Sequence, residues 1–142
     1  MEADLTGLER AVIACLLAPE HPVTDALRYQ ADRCRVASRE FTGVGFYTTL
    51  EVPSDAPAAS VRSGRMHLGD VTATIDGLNH GAGFVLWIED GVLQVLEAFT
   101  YDEPWPQEIR GYDVQGGGVG HHGTRTDRQE IDASWARSVD DD

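Results

Sequence analysis

The sequence contains no lysine and only two cysteines, and it has no long apolar run. All 11 basic residues are arginine, against 24 acidic residues, and the net charge is −13. No apolar stretch approaches the ~20 residues that a membrane-spanning helix requires, so we expect no membrane association. Residues 1–8 contain acids but no arginine, and therefore lack the positive start of a secretory signal peptide. We accordingly expect a cytoplasmic protein.

Arginine is also missing from residues 66–109, which carry eight acids and a net charge of −8. A segment of this sign repels the phosphate backbone, so direct nucleic-acid binding is disfavoured. The same field attracts a basic protein or a cation. The alternative is that the acidity serves only to keep the protein soluble.

The residue patterns of common catalytic and metal sites are absent as well. Cys15 and Cys34 lie among apolar residues on separate predicted helices, and we expect buried free thiols. The adjacent His121 and His122 do not have the spacing of a zinc site, so no metal or cofactor is expected. There is no GxSxG motif, and the glycine-rich residues 116–120 do not follow a strand. We therefore expect a non-enzymatic protein without catalytic residues.

The N-terminal part of the chain predicts two helices. The spacing of Thr6 and Glu9 is that of a capping box, which starts the first helix, and Pro19 ends it. A second helix is expected to be capped by Thr24, with Cys34 on its buried side and arginines up to Arg39 near its end.

From residue 44 onward the pattern changes to the two-residue alternation of strands. The clearest element is a hairpin in which Asp90-Gly91, a preferred two-residue turn, joins residues 84–89 to residues 92–96. With that turn as the origin, Glu97 is predicted to lie opposite Phe84, on the same face. Both faces of the hairpin carry apolar residues, so we expect it in the centre of its sheet.

Together these elements predict an α+β protein in which two N-terminal helices pack on an antiparallel sheet of about four strands. Residues 1–114 should form a single domain. Residues 115–142 are rich in glycine and charge, and we expect a mostly disordered acidic tail.

Two features stand out as candidate sites. A carboxylate at Glu97 among apolar side chains can be a general acid or base, or a partner-binding anchor. The alternative is that Glu97 lies near the sheet edge, where it meets an arginine of the second helix or water. The segment that follows combines aromatic, acidic and proline residues. It is either a rigid partner-binding surface or a loop that folds back and plugs the sheet with its tryptophan. The candidate partner-binding residues are Glu97, Tyr101, Asp102, Glu103 and Trp105.

Three stretches resemble a group of small bacterial proteins that share an LExxTYxEPWP-like motif. They are residues 41–47, residues 81–84 together with Asp90-Gly91, and residues 96–106, which carry the motif itself. The likeness covers about residues 8–108 and leaves the tail unmatched. It implies one compact bacterial domain, and it implies no activity, cofactor or catalytic residue.

Three hypotheses of function remain open. The first is an acidic binding protein that docks a basic protein, with an immunity-type inhibitor of a basic bacterial toxin as its concrete form. The second is a small enzyme or ligand-binding domain with Glu97 and Tyr101 at a pocket. The third is a structural module whose hairpin continues across a homodimer.

Overall fold

The computed structural model describes residues 4–61 and 63–116, and it confirms the α+β class. The sheet has six strands rather than the predicted four. No helix of the described residues is long and apolar enough to cross a membrane. The elements in chain order are α1 (Gly7–Leu16), α2 (Pro22–Arg33), β1 (Arg35–Phe41), β2 (Gly45–Glu51), β3 (Arg65–Ile75), β4 (Ala82–Glu89), β5 (Val92–Thr100) and β6 (Tyr112–Gly116).

Helix α1 begins with the predicted capping box. The Thr6 hydroxyl accepts a hydrogen bond from the Glu9 backbone N–H, and the Glu9 carboxylate accepts one from the Thr6 N–H. Each bond satisfies a donor that a helix start would otherwise leave unpaired. Leu8, Val12 and Leu16 then recur at helical spacing and are buried against the sheet.

Helix α2 differs from the prediction at both ends. Its N-cap is His21 instead of the predicted Thr24: the Nδ1 of His21 accepts from the Val23 N–H, and Pro22 occupies the first helical position. The helix ends at Arg33, and the chain continues as strand β1. The expectation that Arg39 lies on this helix is therefore wrong, because the chain from residue 35 pairs with β2 and this pairing overrides local helix propensity.

All five strand pairings in the sheet are antiparallel, and the strand order is β1-β2-β5-β4-β3-β6. The hairpin of β4 and β5 occupies the two central positions, as predicted. Buried side chains alternate along β2 to β5 and join those of both helices in one core. The fold is thus a sheet whose one face is covered by the two helices.

The turn of the central hairpin is confirmed, but the pairing of β4 with β5 departs from the predicted register after the Ile88–Leu93 pair. Asp90 and Gly91 have φ angles of 52° and 80°, as a two-residue hairpin turn with two left-handed positions requires. Ile88 pairs with Leu93 as predicted, and then Trp87 pairs with Val95, so that Gln94 is an extra residue in a β-bulge. Every later side chain of β5 consequently points to the face opposite to the predicted one.

The boundary of the predicted tail lies close to the end of β6. Gln115 and Gly116 belong to that strand and pair with Thr72 and Val71. The remainder of the tail, including His121 and His122, lies outside the described residues.

Candidate functional site

The sheet face opposite the helices is covered by no helix among residues 4–61 and 63–116. We call it the open face. Paired residues of neighbouring strands lie side by side on this face: Tyr47 pairs with Glu97, and Glu97 pairs with Val85. One row along, Trp87 lies between Val95 and His67. The central side chains of the open face are Tyr47, Val85, Trp87, Val95, Glu97, Phe99 and Tyr101.

Glu97 lies in the middle of this face, not beside Phe84. The predicted pairing with Phe84 is wrong because the bulge at Gln94 places Ala98 opposite Phe84 and turns Glu97 to the other side. Glu97 is partly buried, and its Oε1 accepts a hydrogen bond of 3.1 Å from the indole Nε1 of Trp87. Within the described part of the chain, its Oε2 accepts no hydrogen bond. The alternative in which an arginine of the second helix neutralises Glu97 is wrong, since Glu97 lies on a central strand and the described group that contacts its carboxylate is Trp87. Its role as a binding anchor stays a prediction.

Two side chains of the neighbouring strand contact Trp87. The ring of His67 lies 5.0 Å from it, and the guanidinium of Arg65 lies 4.7 Å from its centroid in a cation–π contact. Both neighbours come from β3, which pairs with β4. The indole is thereby held with its N–H directed at Glu97.

Phe99 and Tyr101 extend the open face toward the end of β5. Their rings meet edge to face with 5.6 Å between centroids, and Tyr101 is 42% exposed. A Cβ at Gly83 would lie 2.5 Å from the Tyr101 hydroxyl oxygen and 2.6 Å from the Phe99 ring. The absence of a side chain at Gly83 therefore lets both aromatic groups approach the backbone of the neighbouring strand closely.

Asp102 and Glu103 follow in the loop after β5. Asp102 is exposed and has a φ of 64°, which reverses the chain. The Glu103 carboxylate accepts hydrogen bonds from the backbone N–H groups of Asn79 (2.9 Å) and His80 (2.7 Å). These bonds hold the pKa of Glu103 below its ordinary value. Glu103 thus joins the β3–β4 loop to the end of β5, while Asp102 is directed to solvent.

Trp105 lies away from the other four candidate residues. Its backbone N–H donates to the Gly43 carbonyl (2.8 Å), and its ring packs edge to face on Phe46 at 5.2 Å. Phe46 belongs to the buried face of β2. The segment therefore folds back toward the helix side of the sheet, where Trp105 lines a cavity beside the start of α1. Glu97 and Tyr101 do not line this cavity.

A buried ion pair lies beneath α1, and it was not predicted from the sequence. Glu9 is 1% exposed, and both of its oxygens are bonded to Arg39, at 2.6 Å to Nη2 and 2.9 Å to Nε. Thr48 donates to Oε2 at 2.6 Å, and Thr6 donates to Oε1. Burial raises the pKa of Glu9, but the bonds from Arg39, Thr48 and Thr6 outweigh it, and the pKa lies below its ordinary value. The capping box pointed to Glu9, but only as a helix start.

Cys15 and Cys34 are both free and partly buried, and burial raises the pKa of both thiols. Neither is an activated nucleophile, because the thiolate is the reactive form. No group of three His, Cys, Asp or Glu residues that could hold a metal ion occurs among the residues that the structure describes.

The open face therefore brings together two of the five candidate residues, Glu97 and Tyr101, with aromatic side chains that the sequence did not assign to it. Asp102 lies at its end, Glu103 is occupied by backbone donors, and Trp105 lies on the other side of the sheet. No protein-family model, no curated protein and no solved structure matches this chain.

Proposed function

We propose that the protein is a non-enzymatic acidic binding protein that docks a basic protein partner through its open face. The observation that carries this proposal is Glu97: a partly buried carboxylate in the middle of an aromatic surface, with one oxygen bonded to Trp87 and the other without a bond to any described residue. Such a group is suited to receive an arginine or lysine side chain from a partner.

The surroundings of Glu97 favour a cation for two reasons. A carboxylate next to aromatic rings binds a guanidinium through charge-assisted hydrogen bonds, and the ring faces add cation–π attraction. Tyr47, 40% exposed, is the strand neighbour of Glu97 and offers such a ring. Tryptophan and tyrosine, which surround Glu97 on the open face, are also enriched in binding hot spots.

The net charge of −13 favours a basic partner over a second copy of the chain. Two such molecules repel each other, whereas a basic protein is attracted and steered toward the acidic surface. An immunity-type inhibitor of a basic bacterial toxin is the concrete form of this function. The homodimer remains the alternative, and the measured mass in solution distinguishes the two.

A direct test measures whether the Glu97 site binds a free arginine side chain. Acetyl-arginine amide is titrated against the full chain while the indole N–H resonance of Trp87 is followed by NMR, with acetyl-citrulline amide as the uncharged control of nearly the same shape. We expect the arginine probe to shift the Trp87 resonance at millimolar concentration, the range of a single side-chain contact. The citrulline probe should leave it in place. Equal shifts with both probes would contradict a cation site.

The partner itself is sought by affinity capture from a lysate of the producing organism. The wild type is compared with Glu97→Gln, which keeps an acceptor for Trp87 but removes the charge, and with Glu20→Gln, an exposed carboxylate between the helices. We expect one basic protein to be retained by the wild type and by Glu20→Gln, and to be released by salt. Its affinity for Glu97→Gln should fall about tenfold or more, since charge pairs at interfaces contribute this much. Retention by all three proteins alike would refute the role of the open face.

A further inference from the structure

A second site lies on the helix side of the sheet, where the start of α1 faces the β1–β2 turn and the segment before β6. The space between them forms a cavity of about 770 Å³. This volume falls within the ~300–1,000 Å³ of small-molecule sites. Its main lining residues are Leu8, Phe41, Phe46, Trp105, Ile109 and Tyr112.

The walls of this cavity are aromatic and held in place. Phe46 contacts Phe41 at 5.7 Å and Trp105 at 5.2 Å between ring centroids. Phe41 is 65% exposed at the rim, the highest value among the exposed large hydrophobic residues of the described chain. The Tyr112 side chain extends from β6 to Gly7, where a Cβ would lie 2.8 Å from the tyrosine hydroxyl oxygen. The walls thus offer flat apolar surfaces to a ring-shaped ligand.

The polar end of the cavity is formed by Arg39 and the first turn of α1. Glu9 also lines it, but its two oxygens already accept four hydrogen bonds. Arg39 donates through Nε and Nη2, whereas its Nη1 has no bond to any described residue. A helix start carries partial positive charge as well. Among the residues that the structure describes, this end of the cavity therefore offers donors and no free carboxylate acceptor.

We propose that this cavity binds an uncharged ring-containing molecule whose carbonyl-type oxygen accepts a hydrogen bond from Arg39. The ring body packs between Trp105, Phe41 and Tyr112. An anion is disfavoured because the ion pair of Arg39 with Glu9 is neutral as a whole and the net charge of −13 repels it. A cation is disfavoured because the polar end of the cavity presents the guanidinium of Arg39 and a helix start. This site is separate from the open face and does not depend on the function proposed for it.

The test uses prodan, an uncharged naphthyl ketone whose fluorescence shifts to the blue in apolar surroundings. We expect it to bind the full chain with one site and a micromolar dissociation constant, as an apolar ligand of this size does. Dimethylaminonaphthalene has the same ring without the carbonyl and should compete about tenfold less well, the loss of one hydrogen bond to a charged donor. The anionic anilinonaphthalene sulfonate should also bind less tightly than prodan. Equal or tighter binding by either comparison compound would overturn the proposed ligand class.

Two variants locate the site. Gln107 is exposed and lines the cavity, so Gln107→Trp should block it and weaken prodan about tenfold. Glu108→Trp places the same ring one residue further, at an exposed position that does not line the cavity, and should bind prodan as the wild type does. Tyr101→Ala, on the open face, should also leave binding intact. Three results would each refute the site: loss of prodan binding in Tyr101→Ala, unchanged binding in Gln107→Trp, or no blue shift with the wild type. Circular dichroism verifies that every variant is folded.

Discussion

Replacing Glu9 by glutamine tests how strongly the buried ion pair holds α1 to the sheet. Glutamine keeps the shape of the side chain, and its remaining oxygen can still accept from the Thr6 N–H and from Nη2 of Arg39. Its amide NH₂ group, however, takes the place of the oxygen that accepts from Thr48 and from Nε of Arg39. The Thr48 hydroxyl can rotate to accept from the amide. The Nε–H of Arg39 cannot accept a hydrogen bond, so it is left facing the amide NH₂ donor of the glutamine.

The expected cost follows from the burial of the two partners. Breaking a fully buried ion pair by removing one charge costs about 3–5 kcal/mol. Here Glu9 is 1% exposed but the Arg39 side chain is 25% exposed, so water partly solvates the guanidinium that loses its partner. We therefore expect Glu9→Gln to lower the free energy of unfolding by about 2–3 kcal/mol, below the fully buried range. With a urea m-value of about 1.5 kcal/mol/M, the midpoint should fall by about 1.3–2 M.

The assay is urea unfolding followed by tryptophan fluorescence at several pH values, with Glu40→Gln as the control at an exposed position next to Arg39. Because the folded pKa of Glu9 lies below its ordinary value of 4.5, its stabilising effect is complete above that pH and is lost as the pH falls through the folded pKa. The gap between wild type and Glu9→Gln should therefore be largest near neutrality and shrink on acidification below 4.5. A neutral-pH gap under about 0.5 kcal/mol, the range of ordinary surface substitutions, would refute the reasoning. So would a gap that does not change on acidification.

Two further predictions concern loops that fix the central hairpin. Gly91 has a φ of 80°, and a Cβ there would lie 2.3 Å from the Ala59 carbonyl oxygen. Gly91→Ala should therefore destabilise the protein by more than about 2 kcal/mol in the same urea assay. A smaller change would contradict this prediction and show that the turn relaxes. Glu103→Gln removes the charge that accepts from the Asn79 and His80 N–H groups, so hydrogen exchange of these two amides should be faster than in the wild type. In the wild type, the protection of the Asn79 and His80 amides should be lost as the pH falls through the lowered pKa of Glu103. Protection that changes neither with the substitution nor with pH would contradict the assigned hydrogen bonds.

The sequence predicted best those elements whose signals are local. The capping box at Thr6 and Glu9 and the Asp90-Gly91 turn each involve a few neighbouring residues, and both occur as expected. Strand β1 could not be predicted in this way. Its alternation is weak because an edge strand buries little, and only its pairing with β2 makes it a strand.

The candidate site was predicted in part, for the same reason. The acidic and aromatic composition around Glu97 and Tyr101 is visible in the sequence, but the partners that complete the open face come from other strands. Tyr47 is contributed by β2, and His67 by β3. Likewise, the pairing of Glu9 with Arg39 joins residues thirty positions apart, and no local pattern announces it.

The bulge at Gln94 shows how burial decides a register that the turn alone leaves open. Without it, Val95, Glu97 and Phe99 would face the core, while Leu96 and Ala98 would face solvent. With it, Leu96 is fully buried and the carboxylate of Glu97 leaves the core. The burial of Leu96 and Ala98 is offset by the exposure of Val95 and Phe99, so the apolar side chains do not decide between the two registers. The carboxylate does, because an unpaired carboxylate in the core would cost several kcal/mol, which exceeds the loss of one ladder position. The same free-energy difference that moves Glu97 out of the core also places it in the middle of the open face, among aromatic rings and with one oxygen that is bonded to no described residue.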